Sequence, residues 1–379
     1  MDTLLKTESL IWLGFVFLLG LMVGSFVNVL VARLPFEKSV IWPGSRCFSC
    51  YQPIRWTDNL PIIGYLKLGG KCATCGTPFS SRYLWVELAT GLLFAALFCV
   101  EVLYPIHKFP ASKSLLTGFP PRSLTVLFLY HAVLVTLLLA AALIDAAHRI
   151  IPPLIPYTGA VIGIVGGTLM PWPWPHANTS LAVLPADPIW QLSEYHGLIP
   201  IGVQPWPFWG PLPSFAPPGS WQLGLLNSVI GALAGTLVVR WVKWLFEVGF
   251  GKEALGLGDA DLLLMAGAFV GWQPAVFSLF TGAFAALIVF KLPGLLAAFV
   301  RGSEVERELP FGPGLAVGVI VTLLGWRWLG PRAQMVFLDL PTLGIMVGVM
   351  SVGMLAAGLL LRRPEEATAP VPAETGAKS

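Results

Sequence analysis

The chain has 379 residues, 56% of them hydrophobic and only 11% charged. Soluble globular domains carry about 25% charged residues, so this composition excludes an ordinary soluble domain and indicates a polytopic membrane protein. The net charge is +3, but the 23 Lys and Arg are thinly spread and form no dense patch, which argues against a nucleic-acid surface.

A helix needs about 20 apolar residues to cross a bilayer. In chain order the expected spans are 9–32, 84–104, 123–144, 153–171, 223–246, 259–272, 275–299, 312–330 and 339–361. The first is too long for the apolar region of a signal peptide and reads as a retained span. The sixth is short and meets the seventh at Gly271-Trp272-Gln273-Pro274, so those two could be one interrupted element. The fold class expected is an all-α polytopic membrane protein, with about eight or nine transmembrane helices and a small zinc-stapled cytoplasmic loop domain. Residues 1–32 form its first span and 33–83 a four-cysteine zinc loop. Residues 84–171 are spans carrying a first candidate carboxylate, and 172–222 are a Pro- and Trp-rich extracytoplasmic insertion. Residues 223–361 are spans carrying a second candidate, and 362–379 a disordered tail. No internal repeat is evident.

Loop 33–83 carries Arg33, Lys38, Arg46, Arg55, Lys67, Lys71 and Arg82, which places it in the cytoplasm. Nine spans put 145–152, 247–258, 300–311 and the C-terminus on the same side, with Arg149, Lys252, Arg301, Arg307, Arg362 and Arg363. The insertion 172–222, on the other side, has no Lys or Arg; loop 105–122, with Lys108, Lys113 and Arg122, fits the scheme least. Within the cytoplasmic loop, Cys47-x-x-Cys50 and Cys72-x-x-Cys75 match a four-thiolate zinc site. A loop too small to own a core needs such a staple, and a reducing compartment keeps its thiols free for metal. Two structural disulfides are the alternative, and they require the opposite topology. Cys99 lies in an apolar run and reads as a packing residue.

Carboxylates at membrane depth are functional candidates by default. Asp145 ends the third span in Leu143-Ile144-Asp145, and Asp259 opens the sixth in Gly256-Leu257-Gly258-Asp259-Ala260-Asp261. The topology puts both at cytoplasmic helix ends. Two carboxylates brought close do not both ionise; one holds a proton while the other activates water, the division of labour of aspartic proteolysis. The plainer readings are a helix cap for Asp259 and a solvated interface residue for Asp145, and Asp261 is a second choice for the working group.

Gly-x-Gly-Asp at a membrane helix start resembles the GxGD intramembrane aspartic proteases. The chain as a whole resembles the type IV prepilin leader peptidases, through blocks that match in order over about residues 20–330, the insertion excepted. These are Gly24-Ser25-Phe26-Val27-Asn28 running to Arg33-Leu34-Pro35, the cysteine loop with Ile54-Arg55-Trp56 to Pro61, Arg82-Tyr83 with Glu87, Ile144-Asp145, Gly256 to Asp259, and Pro310-Phe311-Gly312-Pro313. Three positions depart from the family pattern: Pro152-Pro153 after the first aspartate, Asp261 where Lys is common, and Leu84 where Pro is frequent. The anion at 261 is expected to raise neighbouring carboxylate pKa values.

The resemblance implies a multi-pass protein of the bacterial inner membrane. It implies an endopeptidase that cleaves the basic leader of type IV prepilins or pseudopilins at the cytoplasmic face, often followed by S-adenosylmethionine-dependent methylation of the new N-terminus. Asp145 and Asp259 would be the catalytic pair, and Cys47, Cys50, Cys72 and Cys75 would hold structural Zn²⁺. No Rossmann glycine fingerprint is present, so an S-adenosylmethionine site would be of another kind, with Glu87 a candidate to hold a cationic amine and Gly70 to allow close cofactor approach; for Glu87, pairing with Arg82 or Arg46 is the plainer role. A proton- or cation-coupled transporter using the two aspartates is a rival, though such sites lie near the midplane. A catalytically lapsed assembly protein of the same fold is another.

Overall fold

The computed structural model describes residues 2–104, 122–169, 215–216, 220–251, 256–295, 311–338 and 340–361. The expected disordered tail, loop 105–121 and most of the insertion lie outside these residues. In lipid every backbone N–H and C=O must find a partner within the protein, so the apolar runs fold as helices. These are α1 (Asp2–Arg33), α2 (Ile63–Lys67), α3 (Arg82–Phe98), α4 (Arg122–His148), α5 (Leu154–Leu169), α6 (Trp221–Phe250), α7 (Leu257–Val270), α8 (Trp272–Ala285), α9 (Phe311–Leu338) and α10 (Leu340–Leu361). Among the described residues β pairing is confined to two isolated bridges in the loop between α1 and α3.

Six segments are long and apolar enough to cross a membrane: Glu8–Phe36, Arg82–Leu103, Leu124–His148, Trp221–Phe250, Trp272–Leu295 and Pro341–Leu360. The other three expected spans are also helices, but α5, α7 and the apolar part of α9 are shorter. α7 and α8 are separate helices. Gly271, at φ 82°, turns the chain between them in a conformation that glycine adopts without penalty.

α7 lies at the centre. Its 14 residues reach only about 21 Å at 1.5 Å per residue, and nearly all of them from Asp259 to Val270 are buried. A helix apolar all round belongs in an interior, and α4, α5, α6, α8 and α9 wall it in. The main core joins Val27 of α1, Leu138 and Ile144 of α4, Leu262 and Met265 of α7, and Leu315 of α9.

Helices in lipid gain no hydrophobic drive to associate, so close packing through small residues takes its place. Gly20 and Gly24 of α1 face Gly91 and Glu87 of α3, and a Cβ at either glycine would stand 2.7–2.8 Å from the opposing Cα. Gly231 and Gly235 of α6 lie against the carbonyls of Gly267 and Leu263 in α7. Gly314 and Gly318 of α9 lie against Ala286 and Gly282 of the α8 segment. Polar glue adds to this: α3 continues as a π-helical turn, Cys99–Leu103, which points Glu101 at His131 of α4, 2.5 Å away and fully enclosed.

Against the expectation of no internal repeat, the α1–α3 loop uses one motif twice. Arg46-Cys-Phe-Ser-Cys-Tyr-Gln-Pro53 and Lys71-Cys-Ala-Thr-Cys-Gly-Thr-Pro78 are each closed by an antiparallel bridge between their end residues. In each, the first cysteine's N–H donates to the residue before the proline and its carbonyl accepts from the residue after the second cysteine. That residue takes positive φ in both copies, 58° at Tyr51 and 72° at Gly76.

Candidate active site and metal centre

One end of the bundle gathers the end of α4, the starts of α7 and α9, and the stems of the cysteine loop. Asp145 lies in the last turn of α4, three residues before His148. Asp259 is the third residue of α7 and is 8% exposed. The N-cap of α7 is Gly256, so Asp259 stands inside the helix rather than at its cap. Asp259 donates its N–H to the Gly256 carbonyl at 3.3 Å, and its carboxylate accepts from the Gly256 N–H. The carboxylate thus reaches back to the cap residue as in a capping box, with glycine in the Ser/Thr place.

Asp145 accepts from the backbone N–H of Gly312, in the first turn of α9, where helix amides lack intrahelical partners. The fit is close: a Cβ at 312 would stand 2.5 Å from Asp145 Oδ2. The Pro310-Phe-Gly-Pro313 block has no role that its sequence alone reveals, and Gly312 is the site residue that sequence reasoning missed. Past α4, Ile151 packs on Gly258, where a Cβ would be 3.0 Å from Ile151 Cβ. These contacts bring α4 and α7 together, and Asp259 lies near enough to Asp145 for its carboxylate to feel the Asp145 charge.

Asp261 has different partners. The Tyr157 hydroxyl of α5 donates to its Oδ2, and the Arg240 guanidinium of α6 to its Oδ1, both at 3.5 Å. Arg240 is itself steadied by Thr236 Oγ1 at 3.0 Å. The negative charge that 261 adds beside the pair is therefore met by a cation on the neighbouring helix. Pro152 and Pro153 stand just ahead of α5, and their carbonyls accept from the N–H groups of Ile155 and Tyr157. Proline at a helix start costs no intrahelical hydrogen bond, which accounts for that departure.

The four loop cysteines meet, all four Sγ atoms within 4.8 Å of one another. Cys47 and Cys75 are 3.7 Å apart, and Cys50 and Cys72 4.0 Å. A tetrahedron of Zn–S bonds of about 2.3 Å has edges of about 3.8 Å, so the donor set fits zinc. Backbone N–H groups of Ser49 and Thr74 donate to Cys47 Sγ and Cys72 Sγ, each at 3.4 Å. Within the cluster the thiols differ: the Thr77 side chain and backbone hold Cys75 down at about 6, while Cys50, despite the Gln52 backbone, is pushed up to about 11 by burial and the adjoining thiols.

Glu87 and Gly70 serve the loop. Glu87 Oε2 accepts from the Ile62 N–H at 2.8 Å, and the Ser25 hydroxyl also donates to the carboxylate. Neither Arg82 nor Arg46 is its partner: Arg82 donates to the Leu143 carbonyl at 3.1 Å. Gly70 has φ 69°, and a Cβ there would press on the Tyr65 hydroxyl at 2.8 Å. In this arrangement the Glu87 carboxylate and the Gly70 backbone are engaged in hydrogen bonds within the loop. Asn28 and Arg33 also anchor: Asn28 donates to the Tyr83 carbonyl, and Arg33 to those of Ser39 and Gly44.

Comparison with known proteins follows the same blocks. Residues 18–100 match the model of the bacterial peptidase A24 N-terminal domain, and residues 196–290 that of the type IV leader peptidase family. The first range holds the four cysteines and the second holds Asp259; Asp145 falls between them. A prepilin leader peptidase/N-methyltransferase of Klebsiella pneumoniae is 32% identical over 269 residues, 69% of this chain and 87% of that protein. The protein of the same name from Pseudomonas aeruginosa is 29% identical over 330 residues, 81% of this chain and 88% of its own. No solved structure matches. Since the matched blocks cover both the cysteine loop and the Gly-x-Gly-Asp helix, and the Klebsiella relative is aligned over most of its length, the chain belongs to the type IV leader peptidase family.

Proposed function

We propose that the chain is a membrane aspartic endopeptidase that removes the basic leader of type IV prepilins or pseudopilins at the cytoplasmic face of the bacterial inner membrane. The observation that carries this reading is the approach of Asp145 to Asp259 across α4 and α7, in a chain whose relatives are named prepilin leader peptidases. Each carboxylate is steadied by one backbone N–H, from Gly312 and Gly256, and Asp145 keeps partial access to solvent.

In the reaction the ionised carboxylate takes a proton from water as the water oxygen bonds to the scissile carbonyl carbon. The protonated partner gives its proton to the carbonyl oxygen. The resulting gem-diol collapses with cleavage of the C–N bond. The amine leaves with the proton from the first carboxyl, and the second recovers a proton from the diol. The pair titrates as a unit, so base and acid are not assigned to individual residues. Placement at helix ends admits cytoplasmic water and suits a substrate helix unwound beside its leader; the transporter reading gains nothing from it.

Cys47, Cys50, Cys72 and Cys75 would hold zinc in a closed site, where it supplies cross-linking of the two knuckles and no open position for substrate. N-methylation stands in the relatives' names and is a second candidate activity. No step of it is assigned to Glu87 or Gly70, whose groups are engaged in the loop. Co-expression with a leader-bearing pilin and mass spectrometry of that pilin tests the reading. The expected product has lost its leader, and a further methyl increment reports the second activity. An uncleaved pilin would sink the proposal.

A further inference from the structure

The two-knuckle module presents a surface that the peptidase reading leaves unused. Trp56, Ile63 and Leu66 are 78%, 61% and 65% exposed, and Ile63 and Leu66 share a face of α2 at i,i+3 spacing. Exposed Arg55, Lys67 and Lys71 accompany them. Residues 33–83 hold seven Lys and Arg against two acids, Glu37 and Asp58, and Asp58 is already paired with Lys67 at 2.8 Å.

The position of this surface is fixed by contacts to the spans. The Ile62 N–H is bound to Glu87, which lies five residues inside the span that starts at Arg82. Five residues rise about 7.5 Å along a helix. Even with the Glu87 side chain leaning back toward the helix N-terminus, α2 is drawn against the membrane end of α3. On the other stem, the Arg33 guanidinium donates to the carbonyls of Ser39 and Gly44 at 3.0 and 3.2 Å and pulls that segment onto the end of α1. The module is thus held down at the mouth of the bundle rather than projecting into water.

Large apolar side chains set among cations at that depth suit the bilayer interface, where Trp rings sit at headgroup level and Lys and Arg reach anionic lipid. We infer that the zinc module is an interfacial anchor, seating Trp56, Ile63 and Leu66 in the membrane surface with Arg55 and Lys71 on anionic phospholipid headgroups. A basic leader is a poor occupant for the same surface, because the charges have the same sign.

The test uses the purified full chain in vesicles of equimolar phosphatidylcholine and phosphatidylglycerol. A benzophenone amino acid replaces Trp56 or Leu66, with exposed Thr74 on the second knuckle as the comparison site; bound zinc confirms that each variant is folded. Photolysis should give lipid adducts at 56 and 66 several-fold above those at 74, with phosphatidylglycerol favoured several-fold. Arg55→Gln with Lys71→Gln should remove most of that preference while leaving the adducts. Adducts no greater than at Thr74, or equal yields of the two lipids, overturn the inference. Cross-linking to a co-expressed pilin in place of lipid also overturns it, and assigns the surface to substrate instead. Lipid capture is read without reference to cleavage, so its failure is distinct from failure of the peptidase reading.

Discussion

Gly312 illustrates how a single residue shapes the site. Its N–H faces Asp145, and its missing Cβ leaves the space that the carboxylate occupies. Gly312→Ala places a methyl 2.5 Å from Oδ2, so the carboxylate or α9 has to shift. Geometry off by about 1 Å costs on the order of 100-fold in rate, and leader cleavage by purified Gly312→Ala should fall by that order with helix content unchanged. Asp58 offers a second check at this scale. The Lys67 hydrogen bond holds its carboxyl below the usual range. Its stabilising share is therefore fully present above the unfolded value of about 3.9 and is lost as pH falls through the lower folded value. Amide exchange over 58–68 should show protection at neutral pH that weakens in acid. Asp58→Asn should show the weaker protection at neutral pH already.

Among the elements, the cysteine loop was the most legible, because thiolate chemistry imposes a spacing that few other functions use. Its duplication was hidden: the two copies share both Cys and the Pro, with Arg matched by Lys and Ser by Thr, and no further identity. Likewise the pairs Gly20/Gly24, Gly231/Gly235 and Gly314/Gly318 read as scattered glycines until their opposing helices were known. Span limits were least legible for α1 and α9, expected at 9–32 and 312–330 and observed as Asp2–Arg33 and Phe311–Leu338, whereas α5 and α7 fall within two residues of expectation. A helix can continue past the hydrocarbon into polar residues, so an apolar run marks where a span lies better than where its helix ends. Cys72→Ser should lose the metal and loosen the loop, with less effect on the bundle core. Metal content and exchange protection of 46–78 check this; a zinc-free wild-type protein would contradict the metal assignment.

For the molecule as a whole, the sequence held the class of the fold and the block order. The packing that joins α4, α7 and α9 is non-local, and so were the partners of Asp145, Asp259 and Asp261. Arg240 is the clearest case: it lies 21 positions from Asp261 in a different helix, and no pattern in the sequence links them. Orientation still rests on the distribution of Lys and Arg. A cysteine introduced at Ser193 should react with an impermeant thiol reagent from outside the cell, and one at Ser303 should not. The reverse pattern would turn the active end outward.

Leader cleavage by purified Asp145→Asn, Asp259→Asn and Asp261→Asn tests the central claim most directly. Asparagine keeps the size and removes the ionisable group. Each of the first two should lose at least about 1,000-fold, and the double variant little more, because the pair acts as a unit. Asp261→Asn should still cleave. Cleavage by Asp259→Asn with a dead Asp261→Asn would show that the wrong carboxylate has been chosen. Normal cleavage by both Asp145→Asn and Asp259→Asn would contradict the aspartyl mechanism itself.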